Sequence, residues 1–232
     1  MLIEFLLRWV HFLAGITWIG ILYYFNFVQT AFFKNCEADV RSSMIRDLVP
    51  SALWWFRWGA MFTLLSGLAI IMMKSHTYKV GWDNTYMTII LTGGFMGVLM
   101  WFNVWFIIWP AQKLVIASAE QVAAGGEAIA GAAARGARAG MASRTNTMFS
   151  IPMLFCMGAA SHYPIVAAGD GGVPNLSTYW PAMAAVILVG EFTGAFSGAG
   201  KSYQTHLTSV KGVITAGFVM TGVMVALMKY VI

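Results

Sequence analysis

The chain alternates long apolar runs with short polar stretches, the pattern of helices that cross a bilayer. Six runs fit: residues 2–28, 51–73, 85–109, 147–163, 179–198 and 207–231. Proline marks several of their ends. Pro50 precedes the second run, Pro110 closes the third and Pro164 the fourth, and Pro181 falls in the first turn of the fifth, where proline is tolerated. The pattern predicts an all-α integral membrane bundle of about six transmembrane helices, with residues 1–232 as one transmembrane domain. The Ala- and Gly-rich segment 111–143 stands apart. It carries Lys113, Glu120, Glu127, Arg135 and Arg138 and is interrupted by Gly125 and Gly126. It reads as an extension of the third helix followed by a short amphipathic helix on the cytoplasmic surface.

Composition agrees. The 232 residues are 59% hydrophobic and 10% charged, with mean hydropathy +0.71. A soluble domain carries about a quarter charged residues, so a water-exposed surface would be short of charge. Aromatics make up 15%, and many Trp and Tyr lie near the ends of apolar runs, as in interfacial belts. The net charge of +5 resides in loops beside the spans, so topology explains it and nucleic acid is not expected as a partner. Cys36 and Cys156 form no C-x-x-C pair and no haem-attachment motif. The first run carries Glu4, Arg8 and His11 and no small-residue cleavage site, so it reads as a retained helix.

Basic residues set the orientation. Lys34, Arg41 and Arg46, then Lys113, Arg135, Arg138 and Arg144, then Lys201 and Lys211, fall on one side; Lys74 and Lys79 fall on the other. The first side is expected to be cytoplasmic, with both termini periplasmic, in a bacterial inner (cytoplasmic or intracytoplasmic) membrane. Gly190, Gly194 and Gly198 recur every four residues in the fifth run. Such a small-residue face serves either internal packing or a homo-oligomer.

Ionisable residues inside a span are functional candidates by default. His11 lies two to three turns into the first run and His162 ends the fourth, in the run Ser161-His162-Tyr163-Pro164. The two runs point in opposite directions, which puts both imidazoles on the same outer side. Two histidines on facing helices can clamp the iron of a haem. A neutral histidine bonded to a neighbouring helix is the plain alternative for His11. Arg8, one turn outward on the same face, is placed for a haem propionate or a quinone oxygen, or for snorkelling. His76, in an outer loop, is a weaker third ligand candidate; His206 belongs to the opposite side. Glu191 is the only acidic residue deep in the later spans and must be protonated or paired; Arg57 is one candidate partner, and a proton relay another role. Asn103 reads as a hydrogen bond between helices. No P-loop, dinucleotide fingerprint, H-E-x-x-H or nucleophile elbow occurs, so any catalysis is expected to come from a cofactor.

Four stretches carry a family likeness: LLRWVHFLAGITWIGILYYFNFV at 6–28, WWFRWGAMFTLLSG at 54–67, FNVWFIIWPAQKLV at 102–115 and SIPMLFCMGAASHYP at 150–164. Their polar punctuation, R-W-x-H, W-P-x-Q-K and S-H-Y-P, resembles the membrane domain of the bacterial membrane-bound urate oxidases, the PuuD family. That resemblance implies eight spans and a C-terminal cytochrome c domain that takes electrons from urate. The stretch read here has neither the cytochrome nor one pair of spans. Gly59 stands where the family has an acidic residue and Thr145 where it has a histidine. The first run is also similar to that of HemJ-type protoporphyrinogen oxidases, which implies haem b on His11. The expectation is therefore a membrane-embedded b-type haem redox protein. His11 and His162 would be axial ligands, with Arg8 beside a propionate and a quinone or periplasmic cytochrome c as electron partner. The alternatives are a non-enzymatic accessory or oligomeric membrane protein, and a urate or purine oxidase using a separate cytochrome c.

Overall fold

The computed structural model describes residues 2–162 and 175–231, and every regular element among them is helical. Seven helices of fifteen residues or more build it: α1 (Leu2–Tyr23), α2 (Val49–Met72), α3 (Thr85–Phe102), α4 (Trp109–Ala123), α5 (Ala132–His162), α6 (Leu176–Glu191) and α7 (Val210–Val231). The Asn84 side chain accepts from the Tyr86 N–H at 2.9 Å and so caps α3; Asn175 caps α6 through the Thr178 N–H.

Five stretches are long and apolar enough to cross a membrane: Leu2–Asn35, Ala38–Thr77, Thr85–Ala123, Leu176–Phe196 and Val210–Val231. Their outward faces are apolar. Phe12 is 69% exposed, Ile16 71% and Phe218 65%. A continuous apolar surface of this kind belongs against lipid, and the chain is a multi-pass membrane protein. α5, whose second half was expected as the fourth span, is long enough but more polar. It is the central helix, packed by α3, α4, α7 and the turn after α6, and it buries Thr145, Asn146, Thr147 and Ser150 against protein.

Three expectations change. The segment 111–143 has no separate surface helix. α4 ends at Ala123, a turn follows with Gly125 at φ +87° and Gly131 at φ +81°, and from Ala132 the chain is already α5. α6 starts at Leu176, so Pro181 lies in its second turn. The glycines of the fifth run serve internal packing. A Cβ on Gly190 would meet Phe149 at 2.8 Å and one on Gly194 would strike the Thr145 hydroxyl, while Gly198 lies beyond the helix at φ +72°. The expected oligomer contact loses Gly190 and Gly194 to the fold itself. The Tyr163–Pro164 pair expected to close the fourth span lies outside the described residues.

Wide π-helical turns interrupt the bundle at Tyr24–Gln29, Met44–Leu48, Asn103–Ile108 and Phe192–Phe196. Two of them run directly into Val49-Pro50 and Trp109-Pro110. Proline offers no N–H and its ring crowds the carbonyl four residues back, and the wider turn relieves both. Pro152 lies inside α5 without such a turn. It leaves the Met148 carbonyl without its usual donor, and Gly217 of α7 packs there so closely that a Cβ would lie 2.9 Å from that oxygen.

Cross-helix contacts fix the direction of each helix. Tyr23 meets Ser150 and Asn26 meets Ser143, so α1 is antiparallel to α5. Gly59 faces Ala14 and Trp18 while Gly67 faces His11, so α2 is antiparallel to α1. Gly93 faces Met153 and Cys156 while Asn103 reaches Asn146, so α3 is antiparallel to α5. α6 runs with α3, Thr92 bonding Tyr179 at 2.8 Å; α7 runs with α5, Gly217 facing Ile151 and Leu207 meeting Arg144. Both termini therefore lie at one end of the bundle, here the terminal end, with Glu191 toward the other, the loop end.

Candidate functional site

His11 lies at the terminal end, and α2 holds its ring. Nδ1 is 3.1 Å from the Ser66 hydroxyl oxygen. That hydroxyl has one proton, which it donates to the Phe62 carbonyl at 2.6 Å. With that proton committed, Ser66 is placed to accept from His11, and the tautomer this pairing favours carries its proton on Nδ1 and leaves the lone pair on Nε2. Gly67 makes room for this arrangement, since a Cβ there would lie 3.1 Å from the ring carbon Cε1. The bond to Ser66 is also the neighbour-helix contact that a packing histidine needs; what distinguishes His11 is the ring nitrogen it leaves as an acceptor.

Two turns outward, Glu4 collects two cations. Arg8 donates to it through Nε at 3.1 Å and Nη2 at 3.0 Å, and Lys74 Nζ lies 2.9 Å away. The Lys74 ammonium also lies 4.9 Å from the centre of the Tyr78 ring. Hydrogen bonding to Glu4 raises the pKa of the Tyr78 phenol above its ordinary value. Arg8 thus has a carboxylate of this chain as its partner, and the cluster keeps one positive charge in excess. His76 is exposed nearby and makes no hydrogen bond among the described residues.

His162 is the last residue of α5 and is exposed, with no hydrogen-bond partner among the described residues. The Tyr23–Ser150 bond, 2.9 Å, gives the relative height of the two histidines. His11 lies twelve residues before Tyr23 and His162 twelve residues after Ser150. At 1.5 Å per residue both stand about 18 Å from that bond toward the terminal end. The fold thus brings them to one level. His11 makes its hydrogen bond to α2, not to α5.

A second polar centre lies toward the loop end. The Asn103 amide donates to Asn146 Oδ1 at 2.9 Å and to Glu191 Oε2 at 3.2 Å, and Asn146 donates to the Met100 carbonyl at 2.9 Å. All three side chains are fully buried. Arg57 is not the partner of Glu191. Its guanidinium lies 3.9 Å from the centre of the Trp109 ring and 5.1 Å from that of Trp105. Asn103 bonds between helices, as expected; Asn146 and Ser66 are the partners that apolar patterning left unmarked. Asn146 stands sixteen residues before His162, about 24 Å along α5, so the two centres are separate.

His206 lies at the loop end beside Lys211 and Gly212, lining a shallow surface hollow apart from both. Among the described residues no three His, Cys, Asp or Glu side chains gather as a metal cluster.

Gly59 and Thr145, the positions where the resemblance led one to expect an acidic residue and a histidine, both occupy tight contacts. A Cβ on Gly59 would lie 3.1 Å from the Trp18 backbone nitrogen, and Thr145 fills the space over Gly194. Neither place admits a larger side chain without moving a helix. Among known proteins, the family described as Urate oxidase N-terminal matches residues 83–228. No curated protein and no solved structure matches.

Proposed function

This chain belongs to the urate oxidase N-terminal family, and from that premise we propose that it is a membrane-embedded b-type haem redox protein exchanging electrons with a quinone or a periplasmic cytochrome c. The observation that carries the reading is the 3.1 Å contact of His11 Nδ1 with the Ser66 hydroxyl, whose own proton goes to a backbone carbonyl. A histidine that gives its Nδ1 proton to a fixed acceptor presents Nε2 to a metal in a set orientation, the usual arrangement behind a ligating imidazole. His162, at the same height and without a partner among the described residues, is the proposed second ligand. Arg8 and Lys74 share one carboxylate, and their excess charge suits propionates at that end.

Haem b, when bound, supplies one-electron chemistry. The chain's own residues supply its place: His11 and His162 as ligands, Ser66 and Gly67 to orient the first imidazole, and the apolar faces of α1 and α2 to exclude water. In this reading α5 is the sixth crossing, the terminal end is periplasmic and the membrane is the bacterial inner membrane. The absorption spectrum of the purified protein tests it. A Soret band with a reduced α band is expected, and a colourless, metal-free protein from a haem-replete host contradicts it and leaves an accessory role.

The family match favours a second reading, oxidation of urate or a related purine with a separate cytochrome c as acceptor. Gly59 and Thr145, in contacts that exclude larger side chains, weigh against it. Urate turnover by membranes containing the chain, with cytochrome c added, would establish it; confirmed haem without turnover would leave the first reading.

A further inference from the structure

Apart from the histidine site, the bundle buries the carboxylic side chain of Glu191. Its carboxyl is fully buried, and among the described residues its only hydrogen bond is the one Asn103 donates to Oε2. The other oxygen, Oε1, has no partner among the described residues, and neither has Oδ1 of the same Asn103. Both protons of the Asn103 amide are committed, one to Glu191 and one to Asn146, and the Asn146 amide is held by the Met100 carbonyl. The network therefore ends in two buried acceptors, on side chains already joined to each other, with no donor to serve them. A buried carboxylate in that state is strongly unfavourable, and the unpaired amide oxygen adds to the cost.

No fixed cation of the chain supplies the missing positive charge. Among the described residues the only ion pairs are those of Glu4. Arg57 of α2 lies over Trp105 and Trp109, and Arg144 of α5 donates to the Leu207 carbonyl at 2.8 Å. Asn103–Ile108 and Phe192–Phe196 bring no ionisable side chain. In the loop that follows α6, neither Lys201 nor His206 forms an ion pair with Glu191. Both helices that bear the pair also leave α-geometry there. One π-helical turn begins at Asn103 and another directly after Glu191, and such turns loosen the backbone hydrogen-bond ladder where side chains meet a ligand.

We propose that Glu191 and Asn103 form a binding site for one monovalent cation, a proton or a sodium ion, held between Oε1 of the carboxyl and Oδ1 of the amide. A proton makes Glu191 a neutral acid able to donate to the amide oxygen; a sodium ion takes both oxygens as hard ligands. Asn146 is a positioning residue that turns the amide so that its oxygen is left for the cation. The site is independent of the histidine centre and does not rest on haem.

Infrared difference spectroscopy of the full chain in detergent, wild type minus Glu191→Gln, tests it in sodium-free choline chloride and again after addition of sodium chloride. A neutral carboxylic-acid band present in both buffers identifies the proton. A carboxylate band that changes with sodium and not with choline identifies the sodium ion. An ionised carboxylate that is the same in both buffers overturns the proposal. Asn103→Ala keeps Glu191 and removes the second oxygen, so it serves if the glutamine variant fails to fold. It should shift whichever band is seen, and an unshifted band overturns the shared site.

Discussion

Ser66 lies 3.1 Å from His11 Nδ1 and is placed to accept from it, because its own proton goes to the Phe62 carbonyl. Ser66→Ala removes the acceptor and frees the ring to turn. Loss of such a supporting bond typically weakens metal-site affinity by about 10–100-fold. Haem titration into the apo-protein should show that loss with the bundle intact. Unchanged affinity would separate Ser66 from the site.

The Asn103–Asn146 bond joins α3 to α5 inside the bundle. Asn146→Leu takes away the acceptor for one Asn103 proton and the donor to Met100. Leaving buried polar groups unmet costs about 1–3 kcal/mol. Thermal unfolding in detergent should show a lowered midpoint, and a midpoint equal to wild type would mean that the amides find other partners.

Gly190 and Gly194 let α6 approach α5. Gly194→Val pushes a branched side chain into Thr145, an overpacking that costs about 1–3 kcal/mol. The expected signature is a less stable protein of unchanged native mass. A changed mass with unchanged stability would show instead that the glycine face binds another copy.

Glu4→Gln removes the shared partner of Arg8 and Lys74. The groups are only partly buried, so the stability change should be about 0–1 kcal/mol and shrink as salt is raised. A large loss that salt does not reduce would give this cluster a structural role beyond ion pairing.

Much of the fold was legible in the sequence, because apolar run length is set by bilayer thickness. The span that least resembled its final form is α5. Its first half is amphipathic, with Ala132, Ala139, Met141 and Ala142 buried while Arg135 and Arg138 are exposed, and such a pattern suggests a loop and surface helix. Glycine spacing gave a close-packed face but not which surface it meets, since periodicity carries no partner information. His11 stood out because an imidazole among apolar residues is rare. Ser66 did not, since a serine in a span commonly bonds its own helix, as Ser66 also does. Glu191 was conspicuous by its charge, but its true partner is an amide from a distant run, and the expected Arg57 is instead stacked on two indoles.

The proposed redox role depends on haem iron binding at His11 Nε2. Reduced-minus-oxidised visible spectra of purified wild type and His11→Ala, at matched protein concentration, test it most directly. The expected result is b-type bands in the wild type that are lost in the variant, while circular dichroism shows the same helix content in both. Equal haem bands in the two proteins, or none in the wild type, would contradict it.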